Sequence, residues 1–219
     1  MINTIRQAGI LSQEKLDDVK VCVVGCGAIG SHTAETMAKV GIRKMSLWDF
    51  DTVEDHNLSN QGYYLTDLGK NKVDALSERL MRGTGVKVIK NNKRFEDDSD
   101  TGSHQVLISA VDNMQTRKVL WNKFVDNQNL KLFIDGRMAA RFGQVFTIDR
   151  SLTAMELYRA SLFSDAEAYQ APCTEKSTIF CAYGIASLIS AQLFNWLKEG
   201  KAKSQVEVDF RNMVLYQVN

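Results

Sequence analysis

Residues Gly25-Cys26-Gly27-Ala28-Ile29-Gly30 follow the apolar run 20–25, KVCVVG, and open the stretch AIGSHTAETMAKVG. A glycine turn between a strand and a helix permits a tight reversal and close backbone approach. It also presents unpaired N–H groups at the positive end of a helix dipole, a seat for phosphate. Asp49 stands 19 residues beyond Gly30, where an acid can accept hydrogen bonds from ribose hydroxyls. So far the pattern suits a dinucleotide as well as ATP, and a glycine turn used only for packing is the bland alternative.

Three later features break the tie toward ATP. Asn57 and Gln61 fall in DFDTVEDHNLSNQ (49–61), a segment too polar for a core. Lys72 sits in GKNK, at the start of a predicted helix, where its charge can reach a triphosphate. Asp112 ends a predicted buried strand in AVDN, where a carboxylate can hold magnesium. A hydride transfer has little use for a lysine and a metal-binding acid together. Nucleotidyl transfer needs both, because charge on the bridging oxygens must be neutralised. The second acid, Asp51, serves either to help with the metal, to orient a base, or as a solvated loop residue.

The elements that must position these groups alternate in type. Strands are predicted at 20–25, 44–49, 86–91, 104–111, 131–135 and 143–149, and helices after Gly27, at 69–81 and at 113–126. On the first helix Ile29, Thr33, Met37 and Val40 form the inward stripe, with Gly41 as its stop; on the second, Val73, Leu76 and Leu80 face inward. The tail QVEVDFRNMVLYQV alternates on each side of Arg211-Asn212, as an antiparallel hairpin does. The expected fold is α/β: a doubly wound, mostly parallel sheet with antiparallel strands on one side. Ligands in such sheets bind beyond the carboxyl ends of the strands, so Gly25–Gly30, Asp49, Asp112 and Gly136-Arg137 are expected to line one crevice.

Composition bounds the function class. The chain has 219 residues, 44% hydrophobic and 24% charged, with net charge +1, which suits one soluble domain spanning 1–219. Interspersed charge gives no argument for nucleic acid or an anionic membrane as partner. No secretory signal is expected from MINTIRQAGI. Cysteines at 22, 26, 173 and 181 show no CxxC spacing, as expected of a reducing cytoplasm. The most apolar run, 178–197, just reaches bilayer length. It contains Ser187, Ser190, Gln192 and Asn195, and a buried core or dimer-interface helix is the preferred reading.

Taken together, VVGCGAIGSH, DFDTVEDHNLSNQ, GKNKVDAL and SAVDNMQTR resemble the ThiF/MoeB/HesA superfamily, related to ubiquitin-activating enzymes, over about residues 4–199. That resemblance implies a Rossmann-like fold and ATP- and Mg2+-dependent adenylation of a carboxylate. The typical carboxylate is the C-terminus of a ubiquitin-like protein or peptide. By position it implies Gly25, Gly27 and Gly30 around the nucleotide, Asp49 on ribose, and Asn57 and Gln61 in the nucleotide segment. It further implies Lys72 on phosphate, Asp112 on magnesium, and Asn113 and Arg117 in the run that follows. TIRQAGI resembles the segment whose arginine enters a partner subunit's ATP site; that arginine is Arg6, and it implies a homodimer. A surface arginine is the alternative.

The chain departs from the family in places. Asn60 stands where N-L-x-R-Q usually has arginine. Loss of a cation there weakens transition-state stabilisation by ~2–4 kcal/mol unless it is replaced, and Lys70 or Arg137 are the expected substitutes. The paired CxxC zinc motifs are absent, and histidines 32, 56 and 104 suggest no zinc site. Cys173, with Lys176 nearby, aligns with a cysteine that in some relatives attacks the adenylate; an ordinary exposed thiol is the alternative. Cys22 and Cys181 read as packing, Cys26 as a spacer, His56 as surface, and RFEDDSDTG (94–102) as a solvated loop. Two other function classes stay open at this level: an NAD-dependent oxidoreductase, and a non-catalytic scaffold that binds a ubiquitin-like tail.

Overall fold

The computed structural model describes residues 2–163 and 177–218; Pro172, Cys173 and Lys176 lie outside the described residues. In chain order the elements are α1 (Gln13–Asp18), β1 (Lys20–Val24), α2 (Ala28–Val40), β2 (Lys44–Trp48), α3 (Lys72–Thr84), β3 (Ile89–Asn91) and β4 (Val106–Ser109). There follow α4 (Met114–Asp126), β5 (Leu132–Ala139), β6 (Phe142–Ile148), α5 (Leu152–Ala160), α6 (Ile179–Glu199), β7 (Gln205–Asp209) and β8 (Val214–Val218). One eight-stranded sheet runs β3-β2-β1-β4-β5-β6-β7-β8. The strands from β3 to β5 pair in parallel and those from β5 to β8 antiparallel, as the sequence predicts.

Strand order reverses between β1 and β4, which puts the switch point of the sheet at their carboxyl ends. A single row of partners, Asn91, Trp48, Val24, Ser109 and Asp135, crosses the sheet there. Asp49, Gly25 and Ala110 each emerge one residue beyond that row. Register alone therefore assembles the rim of the crevice.

Apolar residues on the two faces build two cores. One gathers Met37, Leu76, Leu80, Ile185, Ile189 and Leu193 beneath α2, α3 and α6. The other gathers Leu120, Trp121, Phe124, Phe133 and Tyr158 beneath α4 and α5. Helix α6 is long and apolar enough to cross a membrane, yet its Cys181, Ala182, Ile185, Ala186, Ile189 and Leu193 are buried against the sheet side. Close packing there requires missing side chains: a Cβ on Gly143 would lie 2.1 Å from Ile185 Cδ1. The reading of 178–197 as a core helix is the one the packing bears out.

Boundaries differ from expectation where loops compete. The helix expected over 69–81 starts at Lys72 and runs to Thr84. Gly69 adopts φ +79, and it and Lys70 pair with Val53 through hydrogen bonds of 2.9 and 2.8 Å, which keeps residues 69–71 out of the helix. The strand expected at 86–91 contracts to Ile89–Asn91, because Val86 turns into the core straight after the left-handed Gly85. Helices α1 and α5, of 6 and 9 residues, are too short to impose a periodicity and were not expected.

Candidate active site

The three glycines of the first turn have different reasons to be glycine. Gly25 has φ +91, and a Cβ there would meet the Ala110 carbonyl oxygen at 2.5 Å. A Cβ on Gly30 would lie 1.8 Å from the Gly25 carbonyl oxygen. Both are demanded by the fold. Gly27 has φ −77 and caps α2, and a Cβ there meets no atom within 4 Å. The protein leaves open space over the helix N-terminus, where a phosphate chain fits. Tyr63, unnoticed in the sequence, fixes the turn by donating its hydroxyl to the Cys26 carbonyl at 2.6 Å.

Asp49 comes off the end of β2 and meets the same turn. Its Oδ2 accepts from the Cys26 N–H at 2.6 Å and its Oδ1 from the Asp51 N–H at 2.8 Å. Each oxygen keeps a lone pair for a ribose hydroxyl. Burial pushes the Asp49 carboxyl above its ordinary 3.8, opposed by those two N–H groups and by Lys72. The sign follows: the charged form is the disfavoured one in the fold, so acidification neutralises Asp49 at a higher pH than it does exposed carboxylates. Nucleotide affinity is expected to fall on that acid limb, and Asp49→Asn to remove the limb; an unchanged pH profile in the variant would contradict the ribose assignment.

Lys72 is the first residue of α3. It is buried, and its Nζ lies 2.9 Å from Asp51 Oδ2, while its backbone N–H donates to the Asp51 carbonyl at 2.9 Å. The structure thus gives Asp51 a partner: it orients the lysine at the rim of the crevice.

The segment 57–61 is built differently from the expectation. Asn57 is buried and its Oδ1 accepts from the Glu54 N–H at 2.9 Å, so half of its amide closes its own 3-10 turn. Asn60 donates its Nδ2 to Ser177 Oγ, and its backbone carbonyl lies 3.3 Å from His32 Nε2. Asn60 Oδ1, Gln61 Oε1 and His32 Nδ1 are buried without a hydrogen-bond partner among the described residues. Neither expected substitute cation turns toward position 60. Lys70 Nζ is held 2.7 Å from Glu78 and 3.4 Å from Asp67. Arg137 gives Nε to Asp135 at 2.7 Å and its two terminal nitrogens to Ser161 at 3.1 and 2.9 Å. Gly136, expected on the crevice, instead makes room for α6 and α2: a Cβ there would meet Ile189, Ile185 and Ile29.

Asp112 follows β4 on the turn into α4, exposed, 3.2 Å from Asn113 Nδ2. Asn113 Oδ1 accepts from the Thr116 N–H at 2.8 Å and caps α4, so its carbonyl oxygen serves the helix rather than a ligand. One carboxylate is enough for a magnesium ion that keeps most of its water and takes its other ligands from phosphates. The residues present therefore fit Mg-ATP, with Asp112 as the protein ligand and the Gly27 space as the phosphate seat.

Arg6 is exposed in the 3-10 turn Ile5–Gln7. Thr4 Oγ1 donates to Gln13 Oε1 at 2.8 Å, Gln13 Nε2 donates to the Gly41 carbonyl at 2.9 Å, and Gln7 Nε2 to the Val40 carbonyl. The segment is therefore pinned to the far end of α2, a 13-residue helix about 20 Å long. Arg6 is remote from the crevice of its own chain. Cys22, Cys26 and Cys181 are free and buried, in keeping with packing and spacer roles, and burial pushes the Cys22 and Cys181 thiols up to about 12 and about 11. His56 is exposed beside Glu54, and Glu96, Asp97, Asp98 and Asp100 all face solvent. Cys173 lies outside the described residues.

Known proteins share this architecture. The chain is 32% identical over 113 residues to a molybdopterin-synthase adenylyltransferase of Salmonella typhimurium, covering 49% of this chain and 45% of that protein. It is 24% identical over 198 residues to ubiquitin-like modifier-activating enzyme 5 of Caenorhabditis elegans, covering 90% of this chain and 39% of that protein. The chain thus spans less than half the length of these curated relatives. Its fold matches that of E. coli MccB, solved with AMPCPP and MccA, at a TM-score of 0.73 and 18% identity, covering 96% of this chain and 66% of that one. It also matches PaaA at 0.77 and 18%, covering 99% and 68%. The ThiF family profile matches residues 1–217, and the chain belongs to the ThiF family.

Proposed function

We propose that this chain is an ATP-dependent adenylyltransferase acting on a C-terminal carboxylate of a ubiquitin-like protein or peptide, as a homodimer in a reducing cytoplasm. One observation carries the reading: Lys72, held by Asp51, and Asp112 flank a glycine turn whose Gly27 faces open space. A substrate carboxylate oxygen bonds to the α-phosphorus, the bond from that phosphorus to the bridging oxygen breaks, and pyrophosphate leaves with the electron pair. The N–H groups at the start of α2 and the Lys72 ammonium neutralise charge on the departing group, and Asp49 orients the ribose. Asp112 would hold a magnesium ion, which would supply further charge neutralisation at the triphosphate. Arg6 of a second copy adds a cation to the site. The relatives support this reading: one is a molybdopterin-synthase adenylyltransferase and another a ubiquitin-like modifier-activating enzyme.

ATP–pyrophosphate exchange tests it. Labelled pyrophosphate is expected to enter ATP when a peptide or ubiquitin-like protein with a free C-terminus is added, and not when that terminus is amidated. Retention of NAD with no response to ATP would overturn the reading in favour of an oxidoreductase. One observation favours a second reading, a non-catalytic scaffold for a ubiquitin-like tail. Position 60 carries no cation, and its side-chain NH2 is committed to Ser177. Tail binding with no exchange across the candidate substrates would select the scaffold.

A further inference from the structure

Asp135 is a carboxylate with no exposed surface, and it lies in the row of the sheet directly beneath the crevice. Its Oδ1 accepts from Arg117 Nε at 3.2 Å; its Oδ2 accepts from Arg137 Nε at 2.7 Å and from the Tyr158 hydroxyl at 3.1 Å. The three donors come from α4, β5 and α5. Desolvating such a cluster is expensive, and well-packed apolar replacements of buried ion pairs are often neutral or stabilising. Stability alone is a poor reason for it to be here.

The cluster has an output. Arg117 is buried, and with Nε on Asp135 the planar guanidinium turns Nη2 onto the Val111 carbonyl at 2.5 Å. Val111 immediately precedes Asp112, and on the other side Asn113 is fixed as the cap of α4. Asp112 is thus held between two anchored neighbours, while its own side chain stays exposed just beyond the carboxyl end of β4. We propose that Asp135 and Arg117 are positioning residues that set the Val111–Asp112 turn, with Arg137 and Tyr158 fixing the orientation of the Asp135 carboxylate. A guanidinium can grip the carboxylate and the carbonyl at once, because its donors form a rigid fork; an ammonium there satisfies one or the other.

The proposal rests on the assignment of Asp112 made above, and Arg117→Lys separates it from a purely structural ion pair. Lysine keeps the buried charge next to Asp135 but releases Val111. Arg117→Lys is expected to lower kcat for pyrophosphate exchange and to raise the Mg2+ midpoint for binding a fluorescent ATP analogue, each by about 10- to 100-fold. KM for ATP and the analogue's affinity in EDTA are expected to stay within about threefold, since the Gly27 seat and Asp49 are untouched. Tyr158→Phe, which keeps the ring and drops one bond to Asp135, gives a smaller shift in the same direction. A lowered melting temperature with unchanged kcat and unchanged Mg2+ midpoint would overturn the proposal, as would an equal loss of affinity in EDTA. Asp112→Asn is run beside them. If it lowers exchange while Arg117→Lys does not, the positioning role alone fails. If Asp112→Asn changes neither readout, the assignment of Asp112 fails and the positioning role falls with it.

Discussion

Lys72→Ala is expected to lower ATP–pyrophosphate exchange by about 10²–10³-fold, the usual cost of removing one preorganised group that meets developing charge. The fold should tolerate it. The ion-pair partner, Asp51, keeps 47% of its side-chain surface exposed, so water replaces the lost ammonium, and the backbone bond from residue 72 to Asp51 remains. Arg6→Ala is expected to be equally poor in exchange for a different reason: in the proposed dimer its cation would serve the neighbour. Mixing the two defective proteins discriminates the cases. In a two-fold dimer with random exchange of subunits, about one quarter of the sites regain both groups, so activity recovers to about a quarter of wild type. No recovery on mixing, with both variants folded, would remove Arg6 from the site of the second copy.

Gly27→Val and Gly25→Ala form the second pair. Gly27 has an ordinary negative φ and empty space where a side chain would stand. Valine there should leave the melting temperature within about 3 °C of wild type while weakening ATP binding by more than about 100-fold, a loss of roughly 3 kcal/mol. Gly25→Ala inverts the pattern. Its positive φ and the Ala110 carbonyl at 2.5 Å from a new Cβ combine strain with a backbone clash, which destabilises the fold by about 2–4 kcal/mol. Calorimetry and nucleotide titration on the two variants read the contrast directly. A Gly27→Val protein that binds ATP normally would mean that the phosphates lie elsewhere.

The residues legible in the sequence are those whose meaning lies in short spacing. Gly25, Gly30 and Asp49 follow from a strand–turn–helix–strand unit whose geometry is local, and Lys72 from the start of the next helix. Asp135, at the end of the strand predicted at 131–135, is not legible as part of the site, because its donors stand 18 residues before it and 2 and 23 after it in the chain. Only the packing of three elements brings them together. The expected rescue of position 60 by Lys70 or Arg137 failed for a related reason. Proximity along the chain or to a crevice does not reveal which acid already holds a cation, and Glu78 and Asp135 hold these two. Gly136 was expected to line the crevice, whereas its missing side chain makes room for Ile189; a glycine in a strand reports close approach without naming what approaches.

The contact between Lys72 and Asp51 has a consequence for turnover. A site whose main cation is already matched by a local anion attracts stray phosphate weakly, because an incoming polyanion must first draw the ammonium away from the acid. On the proposed reaction, the same competition would run in reverse after chemistry: Asp51 would reclaim Lys72 as the inorganic product departs, which would shorten the residence of that product. Removing the acid alone should therefore tighten the grip on pyrophosphate and make its release the slow step.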